Sequence, residues 1–405
     1  MELINLLCRN RGKSRDKTFA ETNRVLGKAL SFAFFLFFFT ARFSFLSAQQ
    51  NQQPWWFALE QGKLYYRSGA YGNALMAFED ARRNREARFT RMEQDLVQFL
   101  SLPDVRRLGD SLDRVETYIA ERGQTQAAAA LAELYYRVPK QSLGGSAAKA
   151  LEELDRLKAY PEAEFWLGET YSAEGELGLA LGQYRKAYSG RDLLETPGFD
   201  AEILYKMAGI HRMRQEYQEM EKTLLEIITG QGPEGEKRDS LWAGGNGGYA
   251  RAAMARVLEN DGISRFLTLY RYDNAQVERA HRLLGFFYYA SNRTPAAEHL
   301  MFSFLIQNTV LIGEVLRKEY DYTFSTLDAL MDAVQRRQDL LAYIEETEYF
   351  KTLYYLGSSL FASGKLLPAR QFWTFLAGRI EAGEWRVRAQ GQLRSPYVDK
   401  AIEMP

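Results

Sequence analysis

Apolar positions along this chain recur with the spacing of paired helices. Between Pro161 and Gly190, the residues Leu177, Ala180, Leu181, Tyr184, Ala187 and Tyr188 fall at i, i+3, i+4 and i+7, which predicts an amphipathic helix. Ahead of it Phe165, Leu167, Gly168 and Tyr171 predict a shorter helix, and Gly175 supplies the turn. Gly168 and Ala180 stand where the two backbones must approach closely, with Tyr171 and Tyr184 filling the space beside them. The same offsets return elsewhere. Residues 55–84 place Gly62, Tyr65, Gly69, Tyr71, Ala74, Phe78 and Ala81 in this register. Residues 201–228 place Ala208 at the close approach and His211 where Tyr171 stood, followed by Tyr217 and Leu224. Leu284, Gly285, Tyr288, Ala297 and Met301 make a fourth copy, and Leu356, Gly357, Leu360, Gly364, Ala369 and Trp373 a fifth.

The intervening segments are less regular. Phe89, Met92, Leu96 and Phe99 share one helical face, as do Leu108, Leu112, Val115 and Ile119. A degenerate pair follows, with Gly123 at its turn and Ala128, Ala132 and Tyr135 inside. A helix over Ser146–Lys158 leads to Pro161, a residue suited to a first helical turn. The Gly-, Pro- and charge-rich run 229–248 predicts a linker. Beyond it come a helix over Tyr249–Leu258 and a long helix from Ser325. In the latter Ser325 and Asp328 suggest a capping box, and Leu327, Leu330, Met331, Val334 and Leu341 form the stripe. The polar segment from Trp385 onward is expected to cap the array.

This spacing resembles the tetratricopeptide repeat (TPR), a helix-turn-helix unit of about 34 residues whose copies stack because one alone cannot bury its apolar face. The resemblance implies an all-α helix-turn-helix repeat solenoid, a TPR-like superhelix. Its arrays span residues 55–228 and 249–392, joined by the 229–248 linker and followed by a 393–405 tail. It further implies a concave groove lined by the first helix of each pair. Carried onto this sequence, the groove positions are Trp56, Leu59, Lys63, Tyr66 and Arg67 in the first unit, and Glu162, Phe165 and Glu169 in the second. Glu202, Tyr205, Arg212 and Met213 follow, then Arg279, Arg282, Phe286 and Tyr289, and last Lys351, Tyr354 and Phe361. Of these, Trp56, Lys63, Tyr66, Phe165, Tyr205, Arg212, Arg282, Phe286, Tyr289 and Tyr354 are the expected protein-binding residues, since rigid rings beside arginine make interface hot spots. The alternative is that these rings pack against neighbouring helices or a loop folded into the groove. Leu59 and Lys63 occupy positions where a carboxylate-clamping groove would need Lys and Asn, which argues against a chaperone-tail receptor.

Composition adds the compartment. With 46% hydrophobic and 26% charged residues the chain has ample core, and 52 Lys+Arg against 52 Asp+Glu gives no sign of a nucleic-acid partner. The balance is uneven: residues 1–48 hold 8 basic and 3 acidic side chains, leaving 44 against 49 in the remainder. The basic start is followed by the apolar run Ala29–Ala41 and by small residues up to Ala48, the layout of a secretory signal. If residues 29–46 are retained they form an inner-membrane anchor instead. Either way the expected location is periplasmic or anchored facing the periplasm. The single cysteine, Cys8, precedes the apolar run, so no intrachain disulfide can form.

No catalytic constellation emerges. His211, His281 and His299 match no zinc spacing, and His211 and His281 fall on first helices, where packing is the default. The AGGNGG run at 243–248 lacks the Gly-Lys-Ser/Thr ending of a phosphate loop, and Glu345, Glu346 and Glu348 read as a solvated helix end. The expectation is a non-catalytic scaffold or adaptor of the cell envelope, without cofactor or metal, binding a protein or peptide. A membrane-anchored assembly factor and a glycan- or small-molecule-binding helical-repeat protein or enzyme are the alternatives.

Overall fold

The computed structural model describes residues 53–103, 105, 114–122, 125–138, 146–230, 239–243 and 246–402. The expectations for residues 1–48, Leu108, Leu112, Gly123, 231–238, 244–245 and 403–405 lie outside the described residues. Among the described residues every regular element is a helix.

In chain order they are α1 (Trp55–Arg67), α2 (Tyr71–Leu100), α3 (Val115–Arg122), α4 (Gln126–Arg137), α5 (Ala147–Leu157), α6 (Pro161–Ala173) and α7 (Leu177–Ser189). Then come α8 (Phe199–Met213), α9 (Tyr217–Thr229), α10 (Ser240–Ala243), α11 (Gly247–Asn260), α12 (Gly262–Leu269) and α13 (Ala275–Ala290). The last are α14 (Ala296–Lys318), α15 (Leu327–Val334), α16 (Gln338–Glu346), α17 (Tyr349–Ala362), α18 (Leu366–Ala377) and α19 (Glu384–Arg394). The five repeated segments are the five pairs α1/α2, α6/α7, α8/α9, α13/α14 and α17/α18, each folded on itself.

All five pairs turn the same way. The residue at the bend takes a positive φ: Gly69 at 76°, Gly175 at 82°, Gln215 at 59°, Asn292 at 55° and Gly364 at 80°. The next amide then donates back to the carbonyl five residues earlier, as Ala70 to Tyr65 (2.9 Å), Glu176 to Tyr171 (2.9 Å), Glu216 to His211 (2.8 Å), Arg293 to Tyr288 (2.7 Å) and Lys365 to Leu360 (2.9 Å). This is the Schellman closure, which satisfies a carbonyl orphaned at the helix end. In the α6/α7 pair the close approach has a different partner from the one expected. A Cβ on Gly168 would stand 2.7 Å from the Tyr184 ring, so the glycine makes room for an aromatic side chain rather than for a backbone.

Two helix boundaries correct the sequence reading. The long helix expected from Ser325 is two: α15 is capped by Thr326, whose hydroxyl accepts from the Ala329 amide at 3.2 Å, and it stops at Val334. Leu327, Leu330, Met331 and Val334 are buried as expected, but after the break at 335–337 Leu340 rather than Leu341 faces inward. The second is α12, where no helix was expected.

The cores follow the pairs. One cluster joins α1, α2 and α6, a second joins α2 to α5, and a third runs from α6 to α8. The largest extends from α8 to α19 and contains residues on both sides of the 229–248 segment. Helix α14 is long and apolar enough to cross a membrane by length and composition, yet 72% of that window is buried inside the protein. It is the central core helix, packed on α13 and α17.

Candidate functional site

The first helices α1, α6 and α8 bring together a half-buried polar-aromatic strip. Ala58, Leu59 and Gly62 turn one side of α1 into the core, which leaves Lys63 and Tyr66 on its flank. The Tyr66 ring meets Trp166 of α6 edge-on at 5.5 Å, and the Lys63 ammonium lies 5.7 Å from the same indole. One turn along α6, Glu169 accepts from Lys206 of α8 at 2.8 Å and from the Tyr184 hydroxyl. Burial, and then the Glu169 carboxylate, raise the Tyr66 phenol above its ordinary pKa, so it stays a neutral donor. The Lys206 side chain is 37% exposed, so its ion pair adds about 1 kcal/mol or less to stability. Trp56 and Arg212 are exposed but not part of this strip. Trp56 packs on Phe57, and Arg212 stands at the end of α8 beside exposed Met213.

The other six expected protein-binding residues, Phe165, Tyr205, Arg282, Phe286, Tyr289 and Tyr354, are buried, which corrects their assignment as open contacts. Phe165 is packed by Phe199 (4.7 Å) and Trp166 (5.7 Å). The Tyr205 hydroxyl donates to the Gln276 carbonyl (2.8 Å) and accepts from the Ala280 amide (3.0 Å), pinning the start of α13. Arg282 is consumed by Glu278 (3.2 Å) and Glu348. Glu278 in turn accepts from Ser303 (2.8 Å) and Gln307 (2.8 Å). Burial raises the Glu278 carboxyl above the usual range, with Arg282 opposing. Burial works the same way on Glu348, but Lys351 and Arg282 outweigh it and hold that carboxyl below its usual value.

Phe286 and Tyr289 are covered by Tyr355 of α17 at 5.8 and 5.1 Å. Tyr354 is covered by Trp385 of α19 at 5.5 Å and by the segment after α19. Its hydroxyl donates to Asp399 at 2.7 Å and accepts from Gln392 at 3.1 Å, while Arg388 lies 3.6 Å from the same carboxylate. The alternative of a chain segment folded over the rings is therefore what occurs at this end.

His281 and His299 form one buried cluster, while His211 pairs separately with Glu216 at 2.7 Å. His281 and His299 face each other Nδ1 to Nδ1 at 3.1 Å, and His281 Nε2 lies 3.6 Å from Asp239. With His299 donating and His281 accepting, the single N–H of neutral His281 is on Nε2, the nitrogen that faces that carboxylate. Asp239 accepts from the Leu241 amide at 2.9 Å and from the Tyr272 hydroxyl, while the Trp242 ring lies tilted 4.4 Å from His299. Burial lowers the pKa of both histidines, that of His299 well below its ordinary value, so both are neutral. The cluster is sealed from solvent and clips residues 239–243 onto α13 and α14. Among the described residues no group of three or more His, Cys, Asp or Glu could hold a metal ion.

Sequence reasoning missed Trp166, Lys206, Trp385, Arg388 and Asp399. The adjacent rings Phe165 and Trp166 were a usable signal for the first, since neighbours on a helix point about 100° apart and the second ring reaches toward α1 and α2. Nothing local marks Asp399.

No family model matches the sequence. The chain is 25% identical over 347 residues to an uncharacterized protein of Treponema pallidum (strain Nichols), covering 85% of this chain and 90% of that protein. Among solved structures, the crystal structure of BtubC (BKLC) from P. vanneervenii aligns over 79% of this chain and 94% of that one, at 13% identity and a TM-score of 0.26.

Proposed function

We propose that this protein is a TPR-like solenoid acting as a non-catalytic scaffold or adaptor, holding a protein partner on the face of α1, α6 and α8. The repeat reading is supported by the five identical turn closures. The observation that carries the functional reading is the strip Lys63–Tyr66–Trp166–Glu169–Lys206. It is aromatic, half-buried and edged by a part-exposed ion pair. Large rigid rings bury area at low entropic cost, and a surrounding shell of charges sets orientation and excludes water. A peptide laid across it would stack on Trp166, accept from Tyr66 or Lys206 and donate to Glu169. We place this activity in the cell envelope on the pattern of residues 1–48, with residues 29–46 either removed or kept as an anchor.

The test is crosslinking in the source cell from a photoreactive residue set at Lys206, followed by identification of what is joined to it. The proposal expects a single dominant protein, lost on Trp166→Ala with helicity unchanged. Crosslinking that survives Trp166→Ala overturns the assignment of the strip.

A further inference from the structure

We infer that the cleft formed by α13, α17 and α19 is a second docking site, made for an extended peptide segment bearing a carboxylate, and that the chain's own residues 395–402 occupy it as a built-in competitor. The inference rests on the scaffold reading but concerns a different face.

Residues 395–402, which follow α19, contain no helix. Asp399 and Ile402 are the side chains that anchor them to the body. Asp399 is 3% exposed, and Ile402 packs half-buried against the large core, while Tyr397 is 50% and Val398 43% exposed. The Asp399 carboxylate receives the Tyr354 hydroxyl at 2.7 Å and lies 3.6 Å from an Arg388 nitrogen. Its other oxygen accepts the segment's own Ala401 amide at 2.9 Å. Gln392 fixes the approach, accepting the Tyr397 amide at 2.9 Å and donating to Tyr354 at 3.1 Å. A buried acidic side chain, an apolar residue three positions on and a solvated backbone between them describe a bound peptide better than a packed terminal element. A core segment buries alternate residues, whereas this one buries a charge and leaves its large apolar side chains in water.

The Tyr289 hydroxyl is buried beside Ser358 and the Asp399 backbone, and the Asp399 carboxylate, second to burial, raises its phenol above the ordinary pKa, so the cleft carries a further phenol next to the buried acidic position. The expected partner is therefore an extended segment with Asp or Glu at the buried position and an aliphatic residue three positions later. Tethering gives the tail a high effective concentration, so a free peptide competes poorly until the Asp399 contact is released.

The experiment uses the full-length chain with Asp399→Ala and, as probe, the blocked peptide SPYVDKAI, corresponding to residues 395–402, added in trans. Binding is read from quenching or shift of tryptophan emission, since Trp385 borders the cleft. The inference expects the peptide to bind the variant at least tenfold more tightly than the unaltered chain. That gain should be lost when the peptide carries Asn for Asp, and when Tyr354→Phe is added to the protein. Equal binding to both chains, or none to either, overturns it. Should Asp399→Ala lose helicity, hydrogen exchange on the unaltered chain decides. Faster exchange at residues 397–402 in excess peptide supports displacement, and unchanged exchange refutes it. Tyr66→Ala and Trp166→Ala must leave peptide binding unaltered, so failure of the strip and failure of the cleft are told apart.

Discussion

Gly168→Ala and Gly182→Ala make the same chemical change in neighbouring helices of one pair, and the structure assigns them opposite signs. Both remove a glycine from a helix interior, which by itself adds about 1 kcal/mol of stability. At Gly182 a Cβ meets nothing within 4 Å, so that gain should appear nearly intact. At Gly168 the added carbon would lie 2.7 and 2.8 Å from two atoms of the Tyr184 ring. The ring cannot retreat, being 1% exposed, in contact with Phe165 at 5.7 Å and tethered through its hydroxyl to Glu169. Overpacking of this kind costs about 1–3 kcal/mol, so Gly168→Ala should be destabilising by about 1 kcal/mol net and the two variants should differ by about 2 kcal/mol. Urea unfolding followed by circular dichroism measures both. Adding Tyr184→Leu to Gly168→Ala should cost less than the sum of the separate effects, with a coupling of about 1 kcal/mol. If Gly168→Ala is as stable as Gly182→Ala, the glycine is not there to admit the ring, and the packing argument for the pair fails.

Two further outcomes follow from the turns and the histidines. Gln215 holds the left-handed position that glycine holds in three of the five pairs, so Gln215→Gly should stabilise the protein by up to about 1 kcal/mol in the same unfolding assay, whereas loss of stability would mean its side chain is used. The buried histidines have folded pKa values lowered from about 6.5, so the unfolded chain binds protons the folded chain refuses as pH falls. Their contribution is fully present above about pH 6.5 and lost below it. The slope of unfolding free energy against pH in that acid range should flatten by up to about 1.4 kcal/mol per pH unit in His299→Gln. Asp239, Glu298, Arg251, Tyr272 and Tyr288 surround the pair and are unaltered in that comparison. An unchanged slope would place the proton uptake elsewhere.

The helix pairs were legible because they depend on local repetition: a small residue, Gly or Ala, on the first helix and a bend residue seven positions later. Gly168 and Gly175 illustrate this, seven residues apart in the first helix and at the bend, although it was not foreseen that Gly168 admits the Tyr184 ring. The break between α15 and α16 was not legible, because the apolar spacing continues nearly in phase through 335–337 and Leu341 competes with Leu340. The groove residues were misread for a related reason. Phe286, Tyr289 and Tyr354 lie where a first helix faces its neighbours, but periodicity cannot say whether that face meets solvent or Tyr355, Trp385 and Asp399. Asp399 lies 45 residues from Tyr354 along the chain, and only the fold brings them together. Trp166 was overlooked because register favoured its neighbour Phe165, which proves to be core.

The claim on which the rest depends is that the half-buried strip of α1, α6 and α8 holds a protein. The direct measurement is to place the same photoreactive residue at Lys206 on that strip and at exposed Lys222 on α9, and to compare the products formed in the cell. The account predicts a discrete protein adduct from position 206, none from 222, and loss of the adduct in Trp166→Ala. Equal adducts from both positions, or none from 206 in a folded and expressed protein, would contradict it.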